Sequence, residues 1–248
     1  MLQLTCFGGQ GARAYFIHGF GADAQSWVAN VGAVSASVEA IGIDLPAHGL
    51  SAGVDVPDTL SQVAEQVIDS IDTSSPCILI GHSAGGAIAM LCAAKIPVSA
   101  VGLVSPVGLG AGPDLSFLHQ LPRVESESQA ISLLQTMVIN KRLIANPVAT
   151  GLLKQLQVPG IRERWQRFAD LLVTSENELQ DARLQLVRQH IPVQVVWGND
   201  DRINRLDESA QQHLPGDWHL FDNCGHLPHI EQWSAYNKAL IKLINSGS

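Results

Sequence analysis

Short runs of apolar, mostly β-branched residues alternate with helical patterns over the first 105 residues of the chain. The runs that predict strands are residues 14–18, 38–44, 77–81 and 100–105. The runs that predict helices between them are residues 26–37, 59–71 and 84–96, the second opening with a capping box at Thr59 and Gln62. Strands that alternate with helices pair in parallel through βαβ units. The sequence therefore predicts an α/β fold, with helices on both faces of a mostly parallel sheet.

The strand pattern is interrupted after Pro106 and resumes near Pro192. The stretch between them is helical in pattern, most clearly at residues 128–139, 147–156 and 161–173. Strand-like runs return at residues 192–198 and 218–221, with helices near residues 206–214 and 231–244. A chain of 248 residues can bury one large core and carry an inserted subdomain. We expect a core of residues 1–106 and 191–248, and a helical cap insertion of residues 107–190.

A serine stands between the third predicted strand and the helix that follows it. The sequence at this turn is Gly81-His82-Ser83-Ala84-Gly85. A serine on a tight strand-to-helix turn needs glycine two residues before it and two residues after it, because a Cβ atom there would clash. The turn projects the serine hydroxyl above the sheet, where the helix N-terminus favours developing negative charge. The pattern predicts a nucleophile elbow, although it also occurs by chance.

Two later segments contain the acid and the histidine that an activated serine needs. A base removes the hydroxyl proton, and a carboxylate holds that base in the correct tautomer. Asp200 and Asp201 follow the strand predicted at residues 192–198, and His226 follows the last predicted strand. Both segments come after the C-terminal ends of strands, where sites in parallel sheets lie. Spacing alone leaves both aspartates open as the acid.

Backbone N–H groups that could bind an oxyanion are predicted at two positions. The first is the segment His18-Gly19-Phe20-Gly21, which closes the first strong strand and has glycines that let a loop turn its N–H groups inward. The N–H of Phe20, together with that of Ala84, would stabilise a tetrahedral intermediate. The side chain of His18 is expected to be buried and hydrogen-bonded.

Five ordered motifs give the chain a family resemblance. They are His18-Gly19-Phe20, Asp44-Leu45-Pro46-Ala47-His48-Gly49, Gly81-His82-Ser83-Ala84-Gly85-Gly86, Trp197-Gly198-Asn199-Asp200-Asp201 and Gly225-His226. In this order they resemble the α/β-hydrolase superfamily over essentially the whole chain. The resemblance implies the α/β-hydrolase fold, with six or seven strands and an inserted helical cap. The family's acid usually stands four residues after the tryptophan, which falls on Asp201.

The resemblance therefore implies a catalytic triad of Ser83, Asp201 and His226. Haloalkane dehalogenases and epoxide hydrolases of this fold resemble each other in using an aspartate at the elbow, so Ser83 argues against both. A narrower similarity is to the hydrolase-like domains attached to acetoin-dehydrogenase acyltransferase components. It rests on Ser105-Pro106-Val107-Gly108-Leu109-Gly110 and on the cap that follows.

Large apolar side chains are the candidates for walls of an acyl-binding site. The residues selected for substrate contact are Trp27, Phe117, Met137 and Trp165. Packing onto the body of the protein is the alternative role for each of them. Asp222, His226 and His229 are closely spaced, but no second cluster completes a coordination shell, so we expect no metal site.

Composition narrows the possible partners and location. The net charge of −8 argues against nucleic acid, whose binding draws on Lys and Arg that neutralise phosphates. No apolar run approaches the roughly 20 residues of a membrane span, and the first ten residues contain no basic residue ahead of an apolar stretch. The four cysteines have no CxxC spacing, which predicts reduced thiols. We expect a cytoplasmic protein without a membrane or nucleic-acid partner.

The function predicted from these residues is a cofactor-free serine hydrolase that cleaves a carboxylic ester or a related acyl substrate through an acyl-enzyme. A C–C bond hydrolase and an acyltransferase use the same triad and stay open as alternatives. A ligand-binding protein of this fold that has lost catalysis is a third possibility. The expected partner is a small-molecule acyl or ester substrate, and the expected state is a monomer or homodimer.

Overall fold

The computed structural model describes residues 1–207 and 209–247 as a seven-stranded sheet between layers of helices. The strands are β1 (Leu4–Gly9), β2 (Ala12–Ile17), β3 (Val38–Ile43), β4 (Cys77–His82), β5 (Val98–Val104), β6 (Val193–Gly198) and β7 (Asp217–Phe221). Their order across the sheet is β1-β3-β2-β4-β5-β6-β7. β1 pairs antiparallel with β3, and the other neighbouring strands are parallel. The predicted α/β-hydrolase fold with a mostly parallel sheet is confirmed.

The helices lie between and after these strands. In chain order they are α1 (Val28–Val31), α2 (Leu60–Ile68), α3 (Ala84–Ala93), α4 (Leu115–Gln120), α5 (Glu127–Leu134), α6 (Asn146–Leu156), α7 (Ile161–Thr174), α8 (Glu176–Gln189), α9 (Ala210–His213), α10 (Pro228–Glu231) and α11 (Trp233–Ser246). The predicted capping box opens α2, because Thr59 and Gln62 each accept a backbone N–H of the other. Position 208, in the helix predicted near 206–214, and position 248, in the predicted core, lie outside the described residues.

The sheet is covered on both faces, as a parallel sheet requires. All six residues of β4 are buried. On one face, apolar residues of α2, α3 and α8 form the larger core cluster, in which Leu60 and Met90 are fully buried. On the other face, Trp27 packs with Tyr236 and Leu240 of α11. The central strands are therefore held in a dry layer that fixes the loops at their C-terminal ends.

Two helices differ from the sequence prediction. The helix predicted over residues 26–37 was wrong in extent, because α1 ends at Val31. Gly32 follows, a poor residue for a helix interior, and the chain continues in turns closed by the Val34 N–H and the Ser37 N–H. The 14-residue helix α8 was missed, although its buried residues Leu179 and Ala182 have helical spacing.

Five helices, α4 to α8, occupy the chain between β5 and β6, and we call residues 107–190 the helical segment. α8 packs against α3 of the core. Trp165 of α7 donates a hydrogen bond to the carbonyl of Ala47, in the loop after β3, at 2.8 Å. The helical segment is therefore joined to the core through both a helix and a loop.

None of the helices formed by residues 1–207 and 209–247 has the length and apolarity that spanning a bilayer would require.

Candidate active site

Ser83 occupies the turn between β4 and α3 in a conformation that few residues adopt. Its φ is 52° and its ψ is −115°. The Ser83 N–H donates to the Val104 carbonyl at 2.9 Å, and the Ser83 carbonyl accepts from Val107 at 3.0 Å. Strained backbone of this kind persists only where the surroundings determine it, and such positions cluster at functional sites. The predicted turn is thus present, and neighbouring backbone fixes it from two sides.

The two glycines that flank this turn are required by close backbone contacts. A Cβ atom at Gly81 would lie 2.1 Å from the Gly85 carbonyl oxygen. A Cβ atom at Gly85 would lie 2.3 Å from the carbonyl oxygen of Ile17. Both distances are far below van der Waals contact. The spacing of glycines around Ser83 therefore has the steric cause that the sequence suggested.

His226 and Asp201 form a buried pair beyond the ends of β7 and β6. The His226 Nδ1 to Asp201 Oδ2 distance is 2.8 Å, and the two side chains are 2% and 0% exposed. The second oxygen, Oδ1, accepts the N–H groups of Ile203 and Asn204 at 2.8 Å and 2.9 Å. Asp200 is exposed. Because the Asp201 carboxylate holds Nδ1–H, the Nε2 atom of His226 is left free to accept a proton.

The loop that contains His226 lies against the residue that precedes Ser83. The Nε2–H of His82 donates to the His226 carbonyl at 2.9 Å, and the two imidazole centroids are 4.7 Å apart. The His226 N–H donates to the Met137 carbonyl at 2.6 Å. Within residues 1–207 and 209–247 the Ser83 hydroxyl forms no hydrogen bond. Among the described residues, the Ser83 hydroxyl therefore has no hydrogen-bond partner. It lies at the C-terminal end of the strands, as His226 does.

The N–H groups predicted to bind an oxyanion lie on either side of Ser83. Ala84 is the first residue of α3, so its N–H has no acceptor within the helix. Phe20 lies in the loop after β2, and a Cβ at the adjacent Gly19 would be 3.2 Å from the Ser83 Cβ. In the described part of the chain, neither of these N–H groups donates a hydrogen bond. An N–H group without an acceptor can donate to a negatively charged oxygen.

Several other buried histidines surround the site. His18 accepts the Leu45 N–H at its Nε2 atom, 3.0 Å away, and its Nδ1–H donates to the Gly19 carbonyl at 2.8 Å. Burial lowers the pKa of His18 and, with the nearby His229 and His226, holds the pKa of His82 well below its usual range. Burial also lowers the pKa of His229 to about 3. These rings are therefore neutral at pH 7.

A cavity of about 320 Å³ lies beside the loop that contains Phe20. Its wall is mostly apolar and comes from both the core and the helical segment. The lining residues include Phe20, Leu121, Leu134, Met137, Ile144, Leu152 and His82. Met137 was selected from the sequence. Leu134, Ile144 and Leu152 were missed. Apolar spacing on α5 and α6 is the signal that could have found Leu134 and Leu152, whereas Ile144 lies between these two helices.

The other residues selected for substrate contact lie elsewhere. Trp27 and Trp165 are fully buried, and neither lines this cavity. Trp27 packs between Phe16 and His229, with ring centroids 5.4 Å and 4.6 Å away. Phe117 lines a separate cavity of about 580 Å³ that is more polar. Of the four candidates, Met137 alone lines the cavity beside the Phe20 loop.

Metal-binding and thiol chemistry find no support at this site. No group of three His, Cys, Asp or Glu side chains in residues 1–207 and 209–247 is arranged to hold a metal ion. The four cysteines are free thiols, and three of them are buried. Burial raises the pKa of Cys77 to about 11 and is the main reason that the pKa of Cys224 rises to about 12. These thiols are protonated at pH 7 and are poor nucleophiles.

The family can be assigned by comparison with known proteins. The sequence profile of the alpha/beta hydrolase family matches residues 14–239. The chain belongs to the alpha/beta hydrolase family. This alpha/beta hydrolase has relatives that are named as an acetyltransferase component and as monoacylglycerol lipases.

Two sequence relatives illustrate the range of proteins that this alpha/beta hydrolase resembles. It is 26% identical over 239 residues to the dihydrolipoyllysine-residue acetyltransferase component of the acetoin cleaving system of Cupriavidus necator, covering 95% of this chain and 64% of that protein. It is 27% identical to monoacylglycerol lipase abhd6-B of Xenopus laevis, covering 93% and 74%.

Among solved structures, 2-hydroxy-6-oxo-6-phenylhexa-2,4-dienoate hydrolase from Rhodococcus sp. strain RHA1 superposes with a TM-score of 0.83 at 20% identity. That superposition covers 98% of this chain and 94% of the other.

A second acetyltransferase component of an acetoin cleaving system, from Pseudomonas putida, is matched over 66% of its own length. The chain thus spans less than two thirds of the acetyltransferase components that it matches.

Proposed function

We propose that this alpha/beta hydrolase is a serine hydrolase that cleaves a carboxylic ester or a related acyl substrate through an acyl-enzyme. The observation that carries the proposal is the buried His226–Asp201 hydrogen bond of 2.8 Å, placed beside the turn that presents Ser83. A histidine whose Nδ1–H is held by a carboxylate is a general base for a hydroxyl. In this proposal Ser83 is the nucleophile, His226 the base and Asp201 the orienting acid.

The reaction proceeds in two halves. His226 Nε2 takes the hydroxyl proton as Ser83 Oγ bonds to the carbonyl carbon, and the N–H groups of Phe20 and Ala84 hold the resulting oxyanion. The carbon–oxygen bond to the leaving alcohol then breaks, and His226 delivers the proton to that alcohol. Water, deprotonated by His226, attacks the acyl-enzyme and releases the carboxylic acid. Asp201 stabilises the imidazolium in both halves.

The cavity beside the Phe20 loop suggests the class of acyl group. A volume of about 320 Å³ and a wall of Leu, Ile, Met and Phe side chains favour a neutral, apolar acyl chain of modest size. We assign the helical segment, residues 107–190, as the cap of a core formed by residues 1–106 and 191–248. In this arrangement the cap supplies most of the apolar wall, and the core supplies the reacting groups.

Acyl transfer is a second candidate, favoured by the similarity to an acetyltransferase component. The same serine ester would then be attacked by an alcohol or thiol in place of water. Carbon–carbon bond hydrolysis would also use the same three residues. Product analysis with a competing alcohol separates transfer from hydrolysis, because only transfer yields a new ester.

Steady-state hydrolysis of p-nitrophenyl acetate, butyrate and octanoate tests the proposal. We expect Ser83→Ala to lower kcat by at least about 10³-fold on every ester that the parent cleaves. The matched control is Ser234→Ala, which removes an exposed hydroxyl from α11 and should leave turnover within twofold of the parent. Retention of parental turnover by the Ser83→Ala variant would refute the proposal.

A further inference from the structure

The loop that contains the Phe20 N–H is held by two histidine side chains, because the His18 Nδ1–H donates to the Gly19 carbonyl at 2.8 Å and His48 accepts from Gly21. The N–H of Gly21, the next residue, donates to Nε2 of His48 at 3.0 Å. Gly21 itself has a φ of +78°, the left-handed conformation that favours glycine. The two peptide groups that flank Phe20 are therefore fixed from both sides, the one with the Gly19 carbonyl by His18 and the one with the Gly21 N–H by His48.

His48 is in the correct tautomer to hold this loop. Its Nδ1 atom lies 2.8 Å from the Pro46 carbonyl oxygen, which can only accept, so Nδ1 bears the hydrogen. The Nε2 lone pair is then the acceptor for the Gly21 N–H. Burial, assisted by the nearby His18, lowers the pKa of His48 to about 3, so the ring stays neutral and keeps this lone pair at pH 7.

Helix α7 of the helical segment holds His48 in place. The Trp165 indole stacks on the imidazole with centroids 5.1 Å apart and planes 17° apart. The Trp165 Nε1–H donates to the carbonyl of Ala47 at 2.8 Å, and Ala47 itself has a positive φ of 65°. On the same helix, Phe168 stacks on Phe20 with centroids 5.9 Å apart and planes 10° apart. Helix α7 therefore contacts both the loop that contains Phe20 and His48, which anchors that loop.

We propose that Trp165 and His48 are positioning residues for the oxyanion hole, and that the packing of α7 on the loop after β3 contributes to the alignment of the Phe20 N–H. This inference rests on the proposed function. It gives the helical segment a role in the chemical step in addition to lining the acyl cavity. Neither side chain touches the reacting atoms, and both act through the Gly19–Gly21 backbone.

Substitution of Trp165 tests the positioning role. Trp165→Phe keeps an aromatic ring on His48 and removes the hydrogen bond to Ala47. The matched control is Trp218→Phe, because Trp218 also donates its indole N–H to a backbone carbonyl, that of Leu214 at 3.1 Å, and does not line the cavity. We expect Trp165→Phe to lower kcat by about 10- to 100-fold with KM within about threefold, because donor alignment matters most in the transition state.

A trifluoromethyl ketone provides a second readout. Ser83 would add to its carbonyl and form an oxyanion, so its inhibition constant reports the donors directly. We expect Trp165→Phe to weaken this inhibition by the same factor as kcat, and Trp218→Phe to leave both unchanged. A residue that only packs would lower the unfolding midpoint and leave kcat of the folded enzyme unaltered. Equal effects of the two tryptophan variants would overturn the proposal.

Exchange of the Gly21 amide hydrogen tests the same contact without any turnover. His48→Phe removes the acceptor, whereas His48→Gln restores an oxygen acceptor at a similar reach. We expect Gly21 exchange, followed by NMR, to accelerate about 10-fold or more in His48→Phe and Trp165→Phe, and less in His48→Gln. Unchanged exchange in the first two variants would overturn the positioning role. Failure of Ser83→Ala to lose turnover would overturn the proposed function and leave this exchange result standing on its own.

Discussion

Asp200 and Asp201 are adjacent in sequence, yet only one carboxylate is placed to orient His226. Asp201 is buried and hydrogen-bonded to Nδ1, while Asp200 is exposed. Sequence spacing could not separate the two aspartates, because the choice depends on how the loop after β6 turns. The turn is set by backbone N–H groups of Ile203 and Asn204 that both reach Asp201 Oδ1. Family resemblance supplied the choice that local chemistry could not.

This difference predicts opposite outcomes for two neighbouring substitutions. Asp201→Asn should lower kcat by about 10³- to 10⁴-fold at pH 7, because a neutral amide neither holds the correct imidazole tautomer nor stabilises the imidazolium. Asp200→Asn is the matched control and should stay within about twofold of the parent. The measurement is kcat on the best ester of the panel. Equal losses in the two variants would contradict the assignment.

The contacts around Gly85 predict how its substitution changes the free energy of unfolding. In Gly85→Ala the new Cβ would meet the carbonyl oxygens of Ile17 and His18 at 2.3 Å and 2.5 Å, and neither backbone segment can move freely. We expect the free energy of unfolding to fall by about 1–3 kcal/mol. Gly151→Ala, in the exposed interior of α6 with nothing within 4 Å, should instead raise it by about 0.5–1 kcal/mol.

Urea denaturation of both glycine variants gives the comparison. A Gly85→Ala variant as stable as the parent would show that the turn around Ser83 is looser than these contacts indicate.

At the scale of elements, the parallel strands were the most predictable part of the fold. Each of β2 to β7 begins and ends within two residues of its predicted run. The strands β3 to β6 are mostly buried on both faces and therefore form continuous apolar runs, whereas β7 is only partly buried. The antiparallel edge strand β1, Leu4–Gly9, lies outside those predicted runs. Contacts between elements could not be predicted. The bond from His48 to Gly21 spans 27 residues and depends on the fold being complete.

The loop that contains His226 depends on a helix that follows it. Glu231, at the end of α10, accepts the Gly225 N–H at Oε1 and the Ile139 N–H at Oε2, each at 2.7 Å. One carboxylate therefore joins the His226 loop to the helical segment. This connection lies outside the motifs that identified the site, and no feature of the sequence indicated it.

Removal of the Glu231 carboxylate should destabilise the folded protein. We expect Glu231→Ala to lower the free energy of unfolding by about 1–3 kcal/mol, because two backbone N–H groups lose a charged acceptor. Glu231→Gln keeps one oxygen acceptor and should lose less. Urea denaturation gives both values, and an unchanged midpoint in Glu231→Ala would contradict the bridging role.

At the scale of the whole molecule, buried neutral histidines set a limit on acid stability. The pKa values of His48 and His229 are lowered to about 3, and those of His18 and His82 are also lowered, in each case mainly by burial. An unfolded chain protonates these side chains near pH 6.5, while the folded chain keeps them neutral. Protonation therefore favours the unfolded state, and stability falls as the pH drops below about 6.5.

Each such histidine contributes a slope of about 1.4 kcal/mol per pH unit between the two pKa values. His48 and His229 together should lower the free energy of unfolding by about 2.7 kcal/mol per pH unit near pH 5. Urea denaturation at intervals from pH 7 to pH 5 measures this slope. A free energy of unfolding that stays constant over that range would mean that these rings are protonated in the folded protein.

The central claim, an activated Ser83, can be tested without knowing the substrate. A fluorophosphonate probe bonds to an activated serine oxygen and releases fluoride, and intact mass spectrometry reads the adduct. We expect one adduct on the parent, none on Ser83→Ala and one on Ser234→Ala. An unlabelled parent, with folding verified by circular dichroism, or a labelled Ser83→Ala variant, would contradict the account.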